Sequence, residues 1–308
     1  MKKLYFLLLI LVAGSVSAQQ DAMFSQYMFN TLAINPAYAG SRDVLSVTAL
    51  NRTQWSGIAG APRTQTLSMH SPVAKKNIGL GLQIFNDKIG ITRTTGAFLS
   101  YSYRLKMGNG SLALGIQGGV ANFRADYSTV DVSGDAPAGD PSFSQRVNKM
   151  LPNFGAGLYY SAKKFYVGLS VPHMLNNTLN ENQVRVSNSF VGRQYMQFFL
   201  AGGYSFDLSP DLCLKPSALV KAVKGAPLQL DFSANLWIKD RVGVGASYRS
   251  GSDLILLFEI QATQQLRFGY AYDFGLNALA DYHNGSHELM LRYEFGASKD
   301  RILGPRSF

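Results

Sequence analysis

The sequence predicts an all-β protein, a transmembrane antiparallel β-barrel of the outer-membrane type with about 14 strands. Three observations point there. Apolar residues recur at every second position in segment after segment, which is the period of a strand. The alternate positions carry Gly, Ser, Gln and Asn with isolated charges of both signs, which suits a crowded lumen better than a surface facing water. The connectors between segments include short turns at every second place, as in a chain that crosses a membrane and returns.

Composition excludes the other classes. The 308 residues are 46% hydrophobic and 12% aromatic but only 16% charged, against about 25% charged in a typical soluble domain. Thirty Gly, 16 Tyr and 19 Phe make up the difference. Outside the leader no apolar run reaches the ~18 residues of a spanning helix. Aromatic and β-branched residues are too frequent for disorder, and glycine is too frequent for a coiled coil. The net charge is +10, of which Lys2 and Lys3 supply two. The remaining Lys and Arg are scattered singly along the chain, which argues against nucleic acid as a partner.

Residues 1–18 read as a secretory signal. Lys2 and Lys3 precede the apolar stretch Leu4 to Ala13, and Val16-Ser17-Ala18 fits a small-residue cleavage site that leaves Gln19 first. The single cysteine, Cys213, forms no internal disulfide and reads as a small packed strand residue. The expected location is the cell outer membrane, after removal of the signal.

The strands follow in order. Ile78, Leu80, Leu82 and Ile84 alternate with Gly79, Gly81, Gln83 and Phe85. Leu112, Leu114, Ile116 and Val120 alternate with Ala113, Gly115, Gln117 and Gly119. Leu228, Leu230, Phe232, Ala234, Leu236 and Ile238 share one face, as do Leu266, Phe268, Tyr270, Tyr272 and Phe274, and then Leu289, Leu291, Tyr293 and Phe295. Tyr101, Tyr103, Tyr159, Tyr160, Tyr248, Tyr293 and Phe295 are expected in aromatic girdles. The full reading places strands at 44–53, 63–73, 77–86, 92–106, 110–124, 153–161, 163–171, 193–206, 211–223, 227–238, 241–250, 253–261, 265–274 and 286–296. Short turns follow the even-numbered strands, and the long loops near 54–62, 125–152, 172–192 and 275–285 lie at the other end. The domain plan is a signal at 1–18, an N-terminal periplasmic or plug segment at 19–43, a barrel at 44–296 and a periplasmic tail at 297–308. A soluble exported β-sandwich is the alternative that alternation alone leaves open.

No catalytic, cofactor or metal site is expected. His283 and His287 have a zinc spacing only on a helix, and the second begins a strand. Ser286-His287-Glu288 holds triad residue types, but neighbours on a strand point to opposite faces and cannot form a relay. Asp126, Asp131, Asp135 and Asp140 match no calcium-loop spacing and read as a solvated loop. Inward positions Arg104, Asp231, Arg249, Glu259, Arg267, Asp273, Arg292 and Glu294 carry both signs, so ion pairs could cross-link and fill the lumen.

Two segments remain. Phe24-Ser-Gln-Tyr-Met-Phe-Asn30 through Asn35-Pro-Ala-Tyr-Ala-Gly40 is aromatic, yet belongs to no strand. Its apolar residues must bury in the lumen or against a periplasmic partner. Arg52-Thr-Gln-Trp-Ser-Gly57 and Gly60-Ala-Pro62 read as a fixed outer turn. With Asn86-Asp-Lys-Ile-Gly90, Tyr101-Ser-Tyr-Arg-Leu105, Gly269-Tyr-Ala-Tyr-Asp-Phe274 and Gly285-Ser-His-Glu288, these stretches run in order along nearly the whole mature chain. In that combination the sequence resembles the PorP/SprF family of Bacteroidota outer-membrane proteins, tied to type IX secretion and gliding motility.

The resemblance implies a non-enzymatic outer-membrane barrel that serves the secretion machinery. PorP-like members imply periplasmic partners, namely the PorK/PorN ring and a PorE-like peptidoglycan binder. SprF-like members imply a large secreted adhesin with a type B C-terminal signal. Under that reading the partner-binding candidates are Phe24, Gln26, Tyr27, Asn30, Asn35, Pro36 and Tyr38 in the N-terminal segment and Arg301, Arg306 and Phe308 in the tail. A passive porin or transporter is the competing function, because a barrel of this size can enclose water.

Overall fold

A computed structural model describes residues 23–74, 76–127, 146–179, 185–186, 189–190 and 194–296. The signal, the tail and residues 128–145, including Asp131, Asp135 and Asp140, lie outside the described residues. The chain forms one closed antiparallel β-barrel of 14 strands. They are β1 Leu45–Thr53, β2 Arg63–Pro72, β3 Ile78–Ile89, β4 Thr92–Met107, β5 Gly110–Asp126, β6 Arg146–Ala162 and β7 Phe165–Val171. Next come β8 Gln197–Tyr204 (continued by a short Phe206–Asp207 ladder), β9 Leu212–Val223, β10 Gln229–Ile238, β11 Val242–Arg249, β12 Asp253–Gln261, β13 Leu266–Gly275 and β14 Ser286–Phe295. Each strand pairs with its sequence neighbours. β1 closes on β14, from Leu45 opposite Phe295 to Thr53 opposite His287. Closure leaves no strand edge, as backbone in hydrocarbon requires.

The two faces of the wall follow the period of two. Leu80, Leu99, Ile116, Phe232, Leu256 and Leu289 point outward and are exposed, Leu99 by 67%. Ser100, Gln117, Ser233, Asp231, Arg267, Asp273 and Glu288 point inward and are buried. Cys213 is fully buried on β9, against the Ser205 hydroxyl at 3.1 Å.

Three expectations change. β3 runs on to Ile89, and β6 begins at Arg146 rather than near 153. In these extensions the outward face mixes polar residues (Lys88, Arg146, Asn148) with apolar Met150 and Pro152, so hydropathy loses its alternation while the ladder continues. Tyr159 belongs to the lumen, not to a girdle; it is 3% exposed, whereas Tyr160 faces outward. The lumen is also less uniformly polar than expected. Ala113, Tyr159, Tyr166, Phe199, Ala201 and Leu219 form an apolar lining on β5–β9.

The outward belt gives a direct test. Leu99→Arg places a charge mid-wall and should cost about 2–4 kcal/mol of folding stability in lipid, whereas Thr95→Arg, beyond the apolar belt, should cost at most about 1 kcal/mol. Denaturant titration of the barrel in lipid vesicles measures both, and equal costs would place the belt elsewhere.

Candidate functional site

Residues 23–43 thread the lumen. Phe24 and Ser25 sit at the long-loop end, beside the outer ends of β1, β11, β13 and β14. The chain then descends through three 3₁₀ turns, Tyr27–Phe29, Thr31–Ala33 and Pro36–Tyr38. It leaves at the short-turn end, where Val44 leads into β1. Asn35 shapes the descent: its Oδ1 accepts from the Ala37 amide at 3.0 Å and its Nδ2 donates to the Leu158 carbonyl at 2.9 Å. Pro36, with φ already suited to a turn, follows it. The wall makes room with glycine. A Cβ on Gly115 would run into the backbone of Ala37, and one on Gly79 into the Ala39 carbonyl. Wall hydroxyls donate to two plug carbonyls, Ser170 to Ile34 and Ser102 to Ala39, each at 2.6 Å. Tyr27, Leu32, Ile34 and Tyr38 pack on the apolar lining of β5–β9, and Met28 packs against Ile255 and Leu257 of β12.

Charge holds both ends of this plug. At the long-loop end the Arg52 guanidinium meets Asp273 at 2.6 Å and Glu288 at 3.2 Å. Glu288 accepts from the backbone amides of Ser25 at 2.9 Å and Gln26 at 2.8 Å, and the Ser25 hydroxyl donates to Asp273 at 2.7 Å. Nearby, Arg249 pairs with Asp231 at 2.9 Å and donates to the Phe24 carbonyl. At the short-turn end Arg42 holds Glu294 with two bonds, at 2.7 and 3.2 Å. Removing one partner of such a pair strands the other charge in a dry interior. The plugged lumen retains a cavity of about 120 Å³ beside Phe24 and one of about 40 Å³ beside Tyr38.

The short-turn mouth is a separate cleft of about 580 Å³. The plug's exit, Ser41 to Asp43, forms one wall, and exposed Lys76 and Lys163 on turns and Lys106 near the end of β4 stand around it. Arg104 donates to the Gly40 carbonyl and reaches Asp43 at 3.4 Å, so the exit is tied to β4.

Of the candidates from sequence, Phe24, Gln26, Tyr27, Asn30, Asn35, Pro36 and Tyr38 are all buried together in the lumen. Arg301, Arg306 and Phe308 lie outside the described residues. Among the described residues no group of three or more His, Cys, Asp or Glu is placed to hold a metal. Ser286 and Glu288 face one way, Ser286 accepting from the Trp55 amide at 3.1 Å, while His287 faces the other and meets the Tyr270 hydroxyl at 2.7 Å. Sequence reasoning missed Arg42, Arg52 and Glu288 as the clamp, having placed Arg52 in a turn. A parity signal was present, because Thr48, Leu50 and Arg52 share the inward face of β1. The cleft lysines had no such signal.

A family profile described as type IX secretion system membrane protein PorP/SprF matches residues 16–293. The chain belongs to the PorP/SprF family. Among solved structures, this PorP/SprF barrel is similar to the CymD monoaromatic hydrocarbon channel, at 11% identity over 89% of this chain and 93% of the other, with a TM-score of 0.50. The Ralstonia pickettii toluene transporter TbuX matches at 10% identity over 91% and 95%, TM-score 0.47. The Acinetobacter baumannii outer membrane protein Omp33 matches at 11% over 82% and 98%, TM-score 0.44. At these identities the likeness is one of fold, an outer-membrane barrel. No curated protein matches the chain.

The clamp predicts a specific mutational pattern. Arg52→Met should lower stability by about 3–5 kcal/mol, because Asp273 and Glu288 lose their counter-charge. Adding Asp273→Asn and Glu288→Gln should recover most of the loss. The temperature at which the folded band shifts on unboiled gels reads both, and a single variant as stable as wild type would remove the clamp from the account.

Proposed function

We propose that this PorP/SprF barrel works as a non-enzymatic docking protein of type IX secretion and not as an open pore. The observation that carries the reading is the lumen filled along its length by residues 23–43 and clamped by buried ion pairs at both ends. A barrel so filled offers partners its mouths and its wall. By the rule that short turns face the periplasm, the cationic cleft at the short-turn mouth faces the periplasmic machinery. Its occupant is a periplasmic secretion component (a PorK/PorN ring or a PorE-like peptidoglycan binder) or an arriving adhesin with a type B C-terminal signal.

The buried plug residues serve docking at one remove. Asn35, Pro36 and Tyr38 hold the chain that ends at Asp43, and so fix one wall of the cleft. The tail residues Arg301, Arg306 and Phe308 belong to the same face on this reading. Residues 1–18 are taken to be removed on export.

Two measurements test the proposal. Affinity purification from gently solubilised outer membranes, with a tag inserted between residues 128 and 145, should recover ring lipoproteins and a peptidoglycan binder, or one large adhesin. Lys76→Glu/Lys106→Glu/Lys163→Glu should lose that partner at unchanged barrel yield; recovery undiminished by the triple variant would move the contact off the cleft. In planar bilayers the wild-type barrel should show little conductance, and deletion of residues 23–40 should open it. Large stable conductance with the plug intact would favour the porin.

A further inference from the structure

The wall carries a feature that neither plug nor mouth uses. Arg63, Lys88, Arg93 and Arg124 are far apart in sequence, but register lines them up: Arg63 lies opposite Lys88, Lys88 opposite Arg93, and Arg93 opposite Arg124. All four point outward and are exposed. Neighbouring strands are about 4.8 Å apart, and like charges directly opposite one another destabilise a sheet. None of the four forms an ion pair with a carboxylate among the described residues. Arg93 and Arg124 use Nε on the amides of Asn86 and Asn122, both at 2.7 Å.

A second row runs beside the first, one outward position further toward the membrane. Asn51 faces Gln65, Gln65 faces Asn86, Asn86 faces Thr95, and Thr95 faces Asn122. Next to that row the wall is hollow. Ala49 sits between Leu67 and Leu291, and a groove of about 760 Å³ opens there, with Ile84 and Phe268 on its sides and Asn51 and Gln65 at its edge. Two residues of tilted strand advance about 5 Å along the barrel axis. The amide row therefore lies about 5 Å, and the cationic row about 10 Å, beyond the apolar belt. Among the described residues the opposite wall has no such row; Tyr248, Leu254 and Phe274 occupy its corresponding strand ends.

We propose that the β1–β5 wall binds a phosphorylated glycolipid of the outer leaflet. Acyl chain lies in the groove at Ala49, sugar hydroxyls meet the amide row, and phosphates meet Arg63, Lys88, Arg93 and Arg124. Apolar groove, amides and cations occur in the order in which such a lipid presents its chain, sugar and phosphate. Guanidinium groups suit phosphate because their planar donors can engage two oxygens at once. An anion on the row also relieves the repulsion that the register builds in. The site lies outside the proposed docking cleft and stands independently of it.

The test uses the full-length protein in phosphatidylcholine nanodiscs containing diphosphorylated lipid A or its dephosphorylated form, with bound lipid read by native mass spectrometry. Wild type should hold the dephosphorylated form at least about tenfold more weakly, and Arg63→Gln/Lys88→Gln/Arg93→Gln/Arg124→Gln should lose the phosphorylated form to a similar extent. Arg241→Gln, at the short-turn end, should bind like wild type. Ala49→Phe, which fills the groove and keeps the charges, should weaken both forms. Equal binding of the two lipids by wild type overturns the proposal and needs no variant to fold. Undiminished binding by a quadruple variant with a native heat shift overturns it as well.

Discussion

Fourteen strands close a cylinder wider than their own inward side chains can fill. The rest of the structure depends on what occupies that space. Water would leave an open channel; here residues 23–43 occupy it. The segment can do so because its backbone groups find partners on the wall. Ser170 and Ser102 donate to its carbonyls, Glu288 accepts from its amides, and Asn35 closes its own turn. Without such partners a buried, non-strand chain would carry unsatisfied donors and acceptors that cost more than its apolar contacts return.

The lumen is divided accordingly. The β5–β9 side receives Tyr27, Leu32 and Tyr38 in an apolar lining and admits the backbone closely at Gly115. The β10–β14 side and β1 carry the buried ion pairs of the wall and the carboxylates that hold the plug. Buried pairs of this kind add little net stability over a well-packed apolar alternative, but they penalise any register or plug position that separates them. They hold the plug at Ser25 near one end and at Arg42 near the other.

Filling the interior moves function to the surfaces. The short-turn mouth presents a cationic cleft whose wall is the plug's own exit. The outward wall near the long loops presents cations and amides in register above an apolar groove. These surfaces lie at opposite ends of the barrel and use different strands, so a lipid on one and a protein on the other need not compete.

Alternation is a local property, so the sequence by itself determined the barrel class, the inward and outward faces of segments such as Leu228 to Ile238, and the positions of the short turns. The aromatic stretch from Phe24 to Tyr38 was visible as chain that must be buried, and the opposite charges of the inward positions were visible as a lumen that could be cross-linked. The ends of β3 and β6 were not legible, because polar and apolar residues mix there (Lys88, Arg146 and Asn148 beside Met150 outward) and only the hydrogen-bonded ladder marks the strand. Tyr159 was assigned to the wrong face because an adjacent pair of tyrosines hides the parity. Arg52, Asp273 and Glu288 could not be joined from sequence, since their contact requires β1 to close on β14. The row of Arg63, Lys88, Arg93 and Arg124 shows the same limit: scattered singly along the chain, they become neighbours only through the register of four strands. Register is set by turns, closure and the burial of one face, and tertiary structure alone decides which distant residues it brings together.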